Sequence, residues 1–152
     1  MTDLFSAIPK KQKPPKQGYI FTDGGSRGNP GVSGAGAVIY NADKQIIGQY
    51  GWYTGHNTNN FAEYTGMIEG LRQAENIGIT DLTVFLDSKL AIEQMNGNWK
   101  VKHPNIKPLF EKAKAIAERF QQIKFVHVPR EKNKVADQLA NRAMDRQANF
   151  EL

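Results

Sequence analysis

Cysteine is absent from this chain of 152 residues. Disulfide bonds and metal sites built on thiolates are therefore excluded. Histidine is scarce, since the chain has only His56, His103 and His127, and their wide separation does not fit the ligand spacing of a standard zinc site. If the protein binds a metal ion, oxygen atoms should hold it.

Long apolar runs are also missing. No run approaches the roughly 20 residues that span a bilayer, and residues 1–16 lack the apolar stretch of a signal peptide. The glycines do not form the Gly-x-x-x-x-Gly-Lys-Ser/Thr pattern of a nucleotide-binding loop. We therefore expect a soluble cytoplasmic protein that acts as a monomer and makes no membrane contact.

Positive charge is concentrated near the amino terminus. The formal net charge is +5, and residues 1–17 contribute +3 of it through one acidic and four basic side chains, namely Asp3, Lys10, Lys11, Lys13 and Lys16. Three prolines and little periodicity accompany them, so residues 1–17 are predicted to be a flexible basic leader. The mild basicity of the remainder permits a polyanionic ligand such as nucleic acid.

The rest of the chain has the pattern of one domain, residues 18–147, followed by a short tail at 148–152. Apolar runs predict five strands, at residues 19–23, 34–40, 45–53, 82–87 and 123–128. Helical spacing predicts one helix between the third and fourth strands, two between the fourth and fifth, and one at the end. This order predicts an α/β fold in which a three-stranded antiparallel meander joins two parallel strands, with helices on both faces of the mixed five-stranded sheet.

Four acidic residues occupy positions from which they could converge. Asp23 and Asp87 each end an apolar strand, where open α/β sheets place their ligands. Glu63 and Asp137 fall in the first turns of predicted helices. A carboxylate cluster without histidine or cysteine favours hard divalent cations such as Mg²⁺ or Mn²⁺. Two such ions about 4 Å apart can activate a water molecule and stabilise the leaving oxygen of a phosphodiester.

Each residue also has a structural interpretation. Asn60 and Glu63 have the spacing of a helix N-cap and its capping-box partner. Asp23 could be a turn former, and Asp87 could simply begin a helix. His127 is expected to be packed in the last strand. Gly66 and Gly70 share a helix face with Glu63, where close packing against the helix would explain them.

Taken in order, four motifs resemble the successive signatures of type 1 ribonuclease H. They are residues 23–31 (DGGSRGNPG), 58–63 (TNNFAE), 87–88 (DS) and 133–140 (NKVADQLA). The resemblance runs from about residue 18 to 146 and implies a ribonuclease H-like fold. It also implies that Asp23, Glu63, Asp87 and Asp137 bind two Mg²⁺ ions, with Mn²⁺ as a substitute. The implied reaction is endonucleolytic hydrolysis of the RNA strand of RNA/DNA hybrids, which leaves 5′-phosphate and 3′-hydroxyl ends.

The resemblance also assigns substrate contacts. Asn29 and Asn59 would bind 2′-hydroxyl groups in the shallow minor groove of the hybrid, since an amide can donate and accept. Thr58 and Asn60 resemble the family's pocket for a DNA-strand phosphate. Trp99 resembles the aromatic residue that lies along the DNA sugars, although it could equally be a buried loop anchor.

Two departures from familiar members stand out. Many members carry a basic helical insertion where this chain has only residues 97–103, so substrate contacts could shift to the leader lysines. Many also have a histidine in the loop before the last carboxylate. Here Arg130 occupies that loop and is the expected catalytic counterpart, with Glu131 as the alternative if the alignment is off by one residue.

Three alternatives to this function stay open. One is a non-catalytic hybrid-binding module of the same fold, which the four intact carboxylates argue against. Another is an exonuclease or resolvase of the wider superfamily, which the motifs around Asn29 and Asn59 argue against. Cleavage of double-stranded RNA in addition to hybrids is also open.

Residues 3–5 (DLF) slightly resemble short peptides that bind replication clamps. The alternative is that they belong to an unstructured tail.

Overall fold

The computed structural model describes residues 14–152, which form a six-stranded sheet flanked by four helices. The strands are β1 (Gln17–Arg27), β2 (Gly31–Asn41), β3 (Ile46–Asn57), β4 (Asp81–Leu86), β5 (Gln122–His127) and β6 (Phe150–Glu151). The helices are α1 (Asn59–Ile77), α2 (Lys89–Met95), α3 (Lys107–Ala117) and α4 (Lys134–Arg146), with a 3-10 turn at Arg130–Lys132 before α4. None of the helices in the described part combines the length and apolar character needed to cross a bilayer.

The strands lie in the order β5-β4-β1-β2-β3-β6. As expected, β1, β2 and β3 form an antiparallel meander, and β4 and β5 extend the sheet in parallel with β1. The expected count of five strands was wrong, because Phe150–Glu151 pairs with Tyr50 and Gly51 at the edge of β3. The first strand, expected at residues 19–23, is also longer, because β1 continues through the glycines after Asp23 and stays paired with β2 as far as Arg27.

Alternating small residues of β2 allow helices to approach both faces of the sheet. On one face, Gly66 and Gly70 of α1 lie so close to the sheet that an added Cβ would come within 2.8 Å of Ala35 and Ile20 side-chain atoms. On the other face, a Cβ at Gly36 would overlap the backbone of α4 at Ala136. The expectation that Gly66 and Gly70 mark close packing is confirmed. Helix α3 packs on the outside of α1 and helps to enclose the apolar core.

The described fold begins slightly before residue 18. The Lys16 backbone N–H donates to Thr80 Oγ1 over 2.8 Å, and the Lys16 carbonyl accepts from the Thr80 and Asp81 backbone N–H groups. Gln17 is then the first residue of β1. Residues 1–13 of the expected leader, including residues 3–5 with their slight resemblance to clamp-binding peptides, lie outside the described residues.

Candidate active site

Three buried or half-buried carboxylates meet at one edge of the sheet. One oxygen from each of Asp23, Glu63 and Asp87 lies within 4.8 Å of the others. Asp137 of α4 lines the same cleft of about 520 Å³, here called the acidic cleft. Its other lining residues include Ser26, Arg27, Asn59, Ser88, Arg130 and Asn141. The structure therefore brings together all four predicted metal ligands.

Sheet topology places Asp23 and Asp87 side by side. The last pair in the parallel ladder of β1 and β4 is Phe21 with Phe85, and each aspartate lies two residues beyond it. The parallel pairing thus stops at the same level in both strands, so both carboxylates emerge together, although β1 itself continues to Arg27.

Glycine 24 lets helix α1 deliver Glu63 to this point. A Cβ on Gly24 would overlap the backbone of Ala62 and Glu63, so the missing side chain is what allows the first turns of α1 to lie against β1.

Asn133 fixes the beginning of α4, and with it Asp137. Its side chain is 1% exposed, and its Nδ2 donates to the Thr22 carbonyl over 2.9 Å, one residue before Asp23. The Asp137 backbone N–H in turn donates to the Asn133 carbonyl. In the sequence, Asn133 stands out only as the first residue of the motif at residues 133–140. Its contact with Thr22 joins residues 111 positions apart and leaves no local signal.

Burial and mutual repulsion dominate the electrostatics of the cluster. Desolvation, followed by the charge of Asp87 and a hydrogen bond with Asp137, raises the pKa of Asp23 from 3.8 to about 8. Desolvation, together with the charges of Asp23 and Asp87, raises the pKa of Glu63 well above its ordinary value.

The cluster has the properties of a cation site. Glu63 Oε1 is buried and has no hydrogen-bond partner among the described residues, which is costly unless a cation accompanies it. All donor atoms offered by Asp23, Glu63 and Asp87 are carboxylate oxygens, which suit hard divalent ions. The residues present therefore fit divalent-metal binding.

The capping-box interpretation of Asn60 and Glu63 was wrong. The N-cap of α1 is Thr58, whose Oγ1 accepts from the Phe61 backbone N–H over 3.2 Å. Glu63 lies among the carboxylates and is only 8% exposed, so its side chain is not available to the helix end. Helix α2 is capped by Ser88, whose Oγ accepts from the Ala91 backbone N–H.

Asn29 and Asn59 are joined in one hydrogen-bonded chain. Asn29 Oδ1 accepts from the Asn59 backbone N–H over 3.0 Å, and Asn59 Oδ1 accepts from both the N–H and the hydroxyl of Ser26. Both carbonyl oxygens are therefore engaged, and the Nδ2 groups are the parts of these exposed side chains that can donate to a ligand.

Two pockets continue outward from the acidic cleft. The first, of about 350 Å³, brings together Asn29, Thr58, Asn59 and Asn60 and is here called the amide pocket. The second, of about 620 Å³, is lined by Asn60, Trp99, Lys100 and Lys102 among others. Asn59 lines both the cleft and the amide pocket, and Asn60 lines both pockets. The predicted substrate residues thus form a continuous surface.

The structure also separates the alternatives for Trp99 and His127. Trp99 is 46% exposed, with Lys89 Nζ 6.0 Å from its ring centroid, so the interpretation as a buried anchor was wrong. His127 is exposed on the edge strand β5, so the expectation that it is packed was wrong. Its Nε2 lies 3.2 Å from the Asp87 carbonyl oxygen.

The loop before α4 places Arg130 and Glu131 differently. Arg130 lines the acidic cleft. Glu131 lines a separate cavity of about 230 Å³ beside Phe21 and Tyr40. A second arginine, Arg27, lines the cleft from the end of β1 and was not among the expected site residues. Its only signal in the sequence was a charged side chain inside a glycine-rich motif.

Comparisons with known proteins agree with this geometry. A family model described as reverse transcriptase-like matches residues 21–143. The bifunctional protein Rv2228c of Mycobacterium tuberculosis is 50% identical over 127 residues, covering 83% of this chain and 35% of that protein. Ribonuclease HI of Halobacterium salinarum is 36% identical over 127 residues, covering 84% of this chain and 64% of that protein. The chain thus spans about a third of the mycobacterial relative.

A solved structure extends the similarity to three dimensions. The crystal structure of LC11-RNase H1 in complex with an RNA/DNA hybrid superposes with a TM-score of 0.81 at 41% identity. The match covers 86% of this chain and 98% of that one.

Proposed function

Because the chain belongs to the ribonuclease H family, we propose that it is an endonuclease that hydrolyses the RNA strand of RNA/DNA hybrids and leaves 5′-phosphate and 3′-hydroxyl ends. The observation that carries the proposal is the convergence of Asp23, Glu63, Asp87 and Asp137 in one cleft that continues into the amide pocket. A cleft of this kind can hold a phosphodiester at the carboxylates while its ribose is contacted alongside.

The four carboxylates would hold divalent cations, with Mg²⁺ as the expected ion and Mn²⁺ as a substitute. When bound, such ions would supply a water nucleophile at neutral pH and neutralise charge on the phosphate and the leaving oxygen. The chain's own contribution is the position of the carboxylates, which β1, β4, α1 and α4 fix from four directions. Binding would also compensate the repulsion that raises the pKa values of Asp23 and Glu63.

Asn29 and Asn59 would select RNA by donating from their Nδ2 groups to neighbouring 2′-hydroxyl oxygens. Their carbonyl oxygens are held by Asn59 N–H and Ser26, so the amides are oriented before substrate arrives. DNA lacks the hydroxyl and would leave these donors unpaired. The requirement for ribose follows from this arrangement and not from recognition of any base.

The DNA strand would lie outward from the amides. Thr58 and Asn60 stand at the beginning of α1, where a helix N-terminus favours a phosphate. Trp99 would pack along the sugars, and Lys100 and Lys102 beside it would neutralise phosphates. These lysines partly replace the basic insertion that the chain lacks.

Arg130 would assist from the other side of the cleft. Its guanidinium is permanently charged, so it can attract the scissile phosphate or the departing 5′-phosphate but cannot transfer a proton as histidine does. We expect Arg130→Ala to slow turnover more than Glu131→Ala, since Glu131 lines another cavity.

Cleavage assays with end-labelled RNA/DNA hybrid, double-stranded RNA and double-stranded DNA test the proposal, each with Mg²⁺ or a chelator. The expected result is Mg²⁺-dependent cutting of the RNA strand of the hybrid alone. The double-stranded RNA arm decides whether that duplex is a second substrate. Equal cutting of double-stranded DNA would contradict the assignment.

Asp87→Asn is the matching variant. It should lower cleavage on the order of a hundredfold or more, because one charge is lost from the cation site while the fold is kept. Hybrid binding should stay measurable in a mobility-shift assay. The melting temperature of Asp87→Asn in chelator should be unchanged or slightly higher, since the charge of Asp87 adds to the burial that raises the pKa values of Asp23 and Glu63. Near-normal cleavage in saturating Mg²⁺ would rule out Asp87 as a ligand.

A further inference from the structure

Arg27 stands at the rim of the acidic cleft in an ion pair with α4. Its Nη2 lies 2.6 Å from Asp145 Oδ1, and it also donates to the carbonyl and side-chain oxygens of Asn141 over 3.3 and 3.4 Å. Arg27 and Asn141 both line the cleft. The Arg27 guanidinium therefore lies beside the clustered carboxylates while it is paired with the Asp145 carboxylate.

This ion pair is poorly suited to hold the fold together. The Arg27 and Asp145 side chains are 46% and 66% exposed, and water screens such pairs so that they contribute little to stability. Because the pair is weak, a stronger anion could displace Asp145 at small cost. A phosphate can accept two parallel hydrogen bonds from a guanidinium, which makes it a stronger partner than an exposed single carboxylate contact.

Arg27 is also placed where an RNA phosphate would pass. It directly follows Ser26, whose N–H and hydroxyl orient the Asn59 amide at 2.7 and 3.0 Å. On the opposite side it reaches α4 one turn beyond Asp137, at Asn141. The guanidinium thus lies between a proposed ribose contact and a proposed metal ligand. Among the described residues, Arg27 and Arg130 are the cationic side chains that line the acidic cleft.

We propose that Arg27 binds a phosphate of the RNA strand and that Asp145 occupies its guanidinium until substrate displaces it. This inference rests on the proposed function, since it takes the hybrid as the ligand. Asp145 then acts as an internal competitor. Removing Arg27 should weaken hybrid binding, whereas removing the charge of Asp145 should strengthen it.

The test measures hybrid affinity in chelator, where no cleavage intervenes, for Arg27→Gln, Asp145→Asn and the double variant. Arg27→Gln should weaken binding by about tenfold and reduce the slope of log Kd against log salt by about one. Asp145→Asn should tighten binding by roughly two- to fivefold. The gain should vanish in the double variant, because Asp145 acts through Arg27.

A second exposed ion pair, Arg119 with Glu75, provides a matched control. It joins the residues after α3 to α1, with 2.7 Å between Arg119 Nε and Glu75 Oε2. Arg119→Gln and Glu75→Gln change the net charge by the same amounts away from the cleft. Both should stay within about twofold of the unaltered protein. If Arg27→Gln merely equals Arg119→Gln, or Asp145→Asn merely equals Glu75→Gln, the changes reflect net charge and the proposal is overturned.

A purely structural role for the pair predicts a different result. If the ion pair only held β1 against α4, Arg27→Gln and Asp145→Asn should both weaken hybrid binding and both lower the melting temperature. That result would overturn the proposal. Cleavage by the unaltered protein distinguishes failure of this inference from failure of the proposed function. If the unaltered protein cuts the hybrid in Mg²⁺ while both variants bind hybrid more weakly and melt at lower temperature, only this inference is wrong. If it does not cut, the proposed function falls and the inference falls with it.

Discussion

At the scale of single residues, Asp23 shows most clearly how burial and charge repulsion at the site affect the stability of the fold. It is buried between Asp87 and Asp137, and its pKa is raised from 3.8 to about 8. The folded chain therefore keeps a proton on Asp23 at pH values where the unfolded chain has released it. Such a group lowers the stability of the fold as the pH rises from about 4 to about 8, because the unfolded chain gains free energy by releasing a proton that the folded chain still holds.

This gives a prediction for the melting temperature in chelator. It should fall by several degrees between pH 5 and pH 8, and Mg²⁺ at pH 8 should restore most of the loss. Asp23→Asn should flatten the dependence, whereas Asp43→Asn, in an exposed turn, should leave it unchanged. Scanning calorimetry measures both. A melting temperature that rises steadily over this range in the unaltered protein would contradict the raised pKa.

At the scale of helices and strands, the connection between α4 and β1 is the one on which the site depends most. Asn133 donates from a buried amide to the Thr22 carbonyl, so the start of α4 is tied to the strand that carries Asp23. Its own Oδ1 and the Thr22 hydroxyl oxygen are buried without partners among the described residues. The Asn133 amide is thus buried at a site where two neighbouring oxygens without partners already reduce the free energy of unfolding.

We expect Asn133→Ala to destabilise the fold by about 1–3 kcal/mol and to lower cleavage in excess of that loss. The reason is that α4 would no longer hold Asp137 in register with Asp23. Thermal stabilisation by Mg²⁺, measured without substrate, should shrink in the same variant.

Asn96→Ala is the matched control, because Asn96 also donates its Nδ2 to a strand carbonyl, that of Phe125, but from an exposed position. It should change neither cleavage nor the response to Mg²⁺. Normal stabilisation by Mg²⁺ in Asn133→Ala would show that the contact is structural only.

Features set by neighbouring residues could be predicted from the sequence. Gly78 ends α1 with a left-handed φ of 94°, and Asp87 directly follows the apolar strand β4. Asp23 was expected at the end of a strand, but β1 continues to Arg27. Features set by distant contacts could not. Strand β6 has two residues and exists only because β3 offers an edge, and the Asn133 contact depends on how α4 lies on the sheet. The cap of α1 was misplaced by two residues, because Thr58 and Asn60 are both good capping residues.

At the scale of the whole molecule, charge is distributed unevenly between the fold and the leader. Residues 1–13 contain Lys10, Lys11 and Lys13 against Asp3, and four carboxylates converge in the acidic cleft. A polyanionic hybrid must therefore be attracted mainly by charges outside the cleft. The leader lysines are close in sequence to β1 and could provide part of that attraction.

We expect a chain that starts at Pro14 to bind hybrid more weakly and with a salt slope lower by about two, in line with the lost net charge of residues 1–13. The cleavage positions and the requirement for ribose should not change, since both depend on the cleft and the amide pocket. Replacing Lys10, Lys11 and Lys13 by Gln in the full chain is the control for length. An unchanged salt slope in both proteins would show that the leader does not contact nucleic acid.

The exposure of Trp99 has a practical consequence, because the chain contains only two tryptophans. Trp52 lies within the sheet, stacked on Tyr50 at 5.7 Å between ring centroids, while Trp99 lies at the proposed nucleic-acid surface. Nucleic acid packed on Trp99 should quench its fluorescence, and unfolding should change the emission of Trp52. With Trp99→Phe and Trp52→Phe to assign the signals, one unlabelled sample can report substrate docking and loss of the fold as separate optical events.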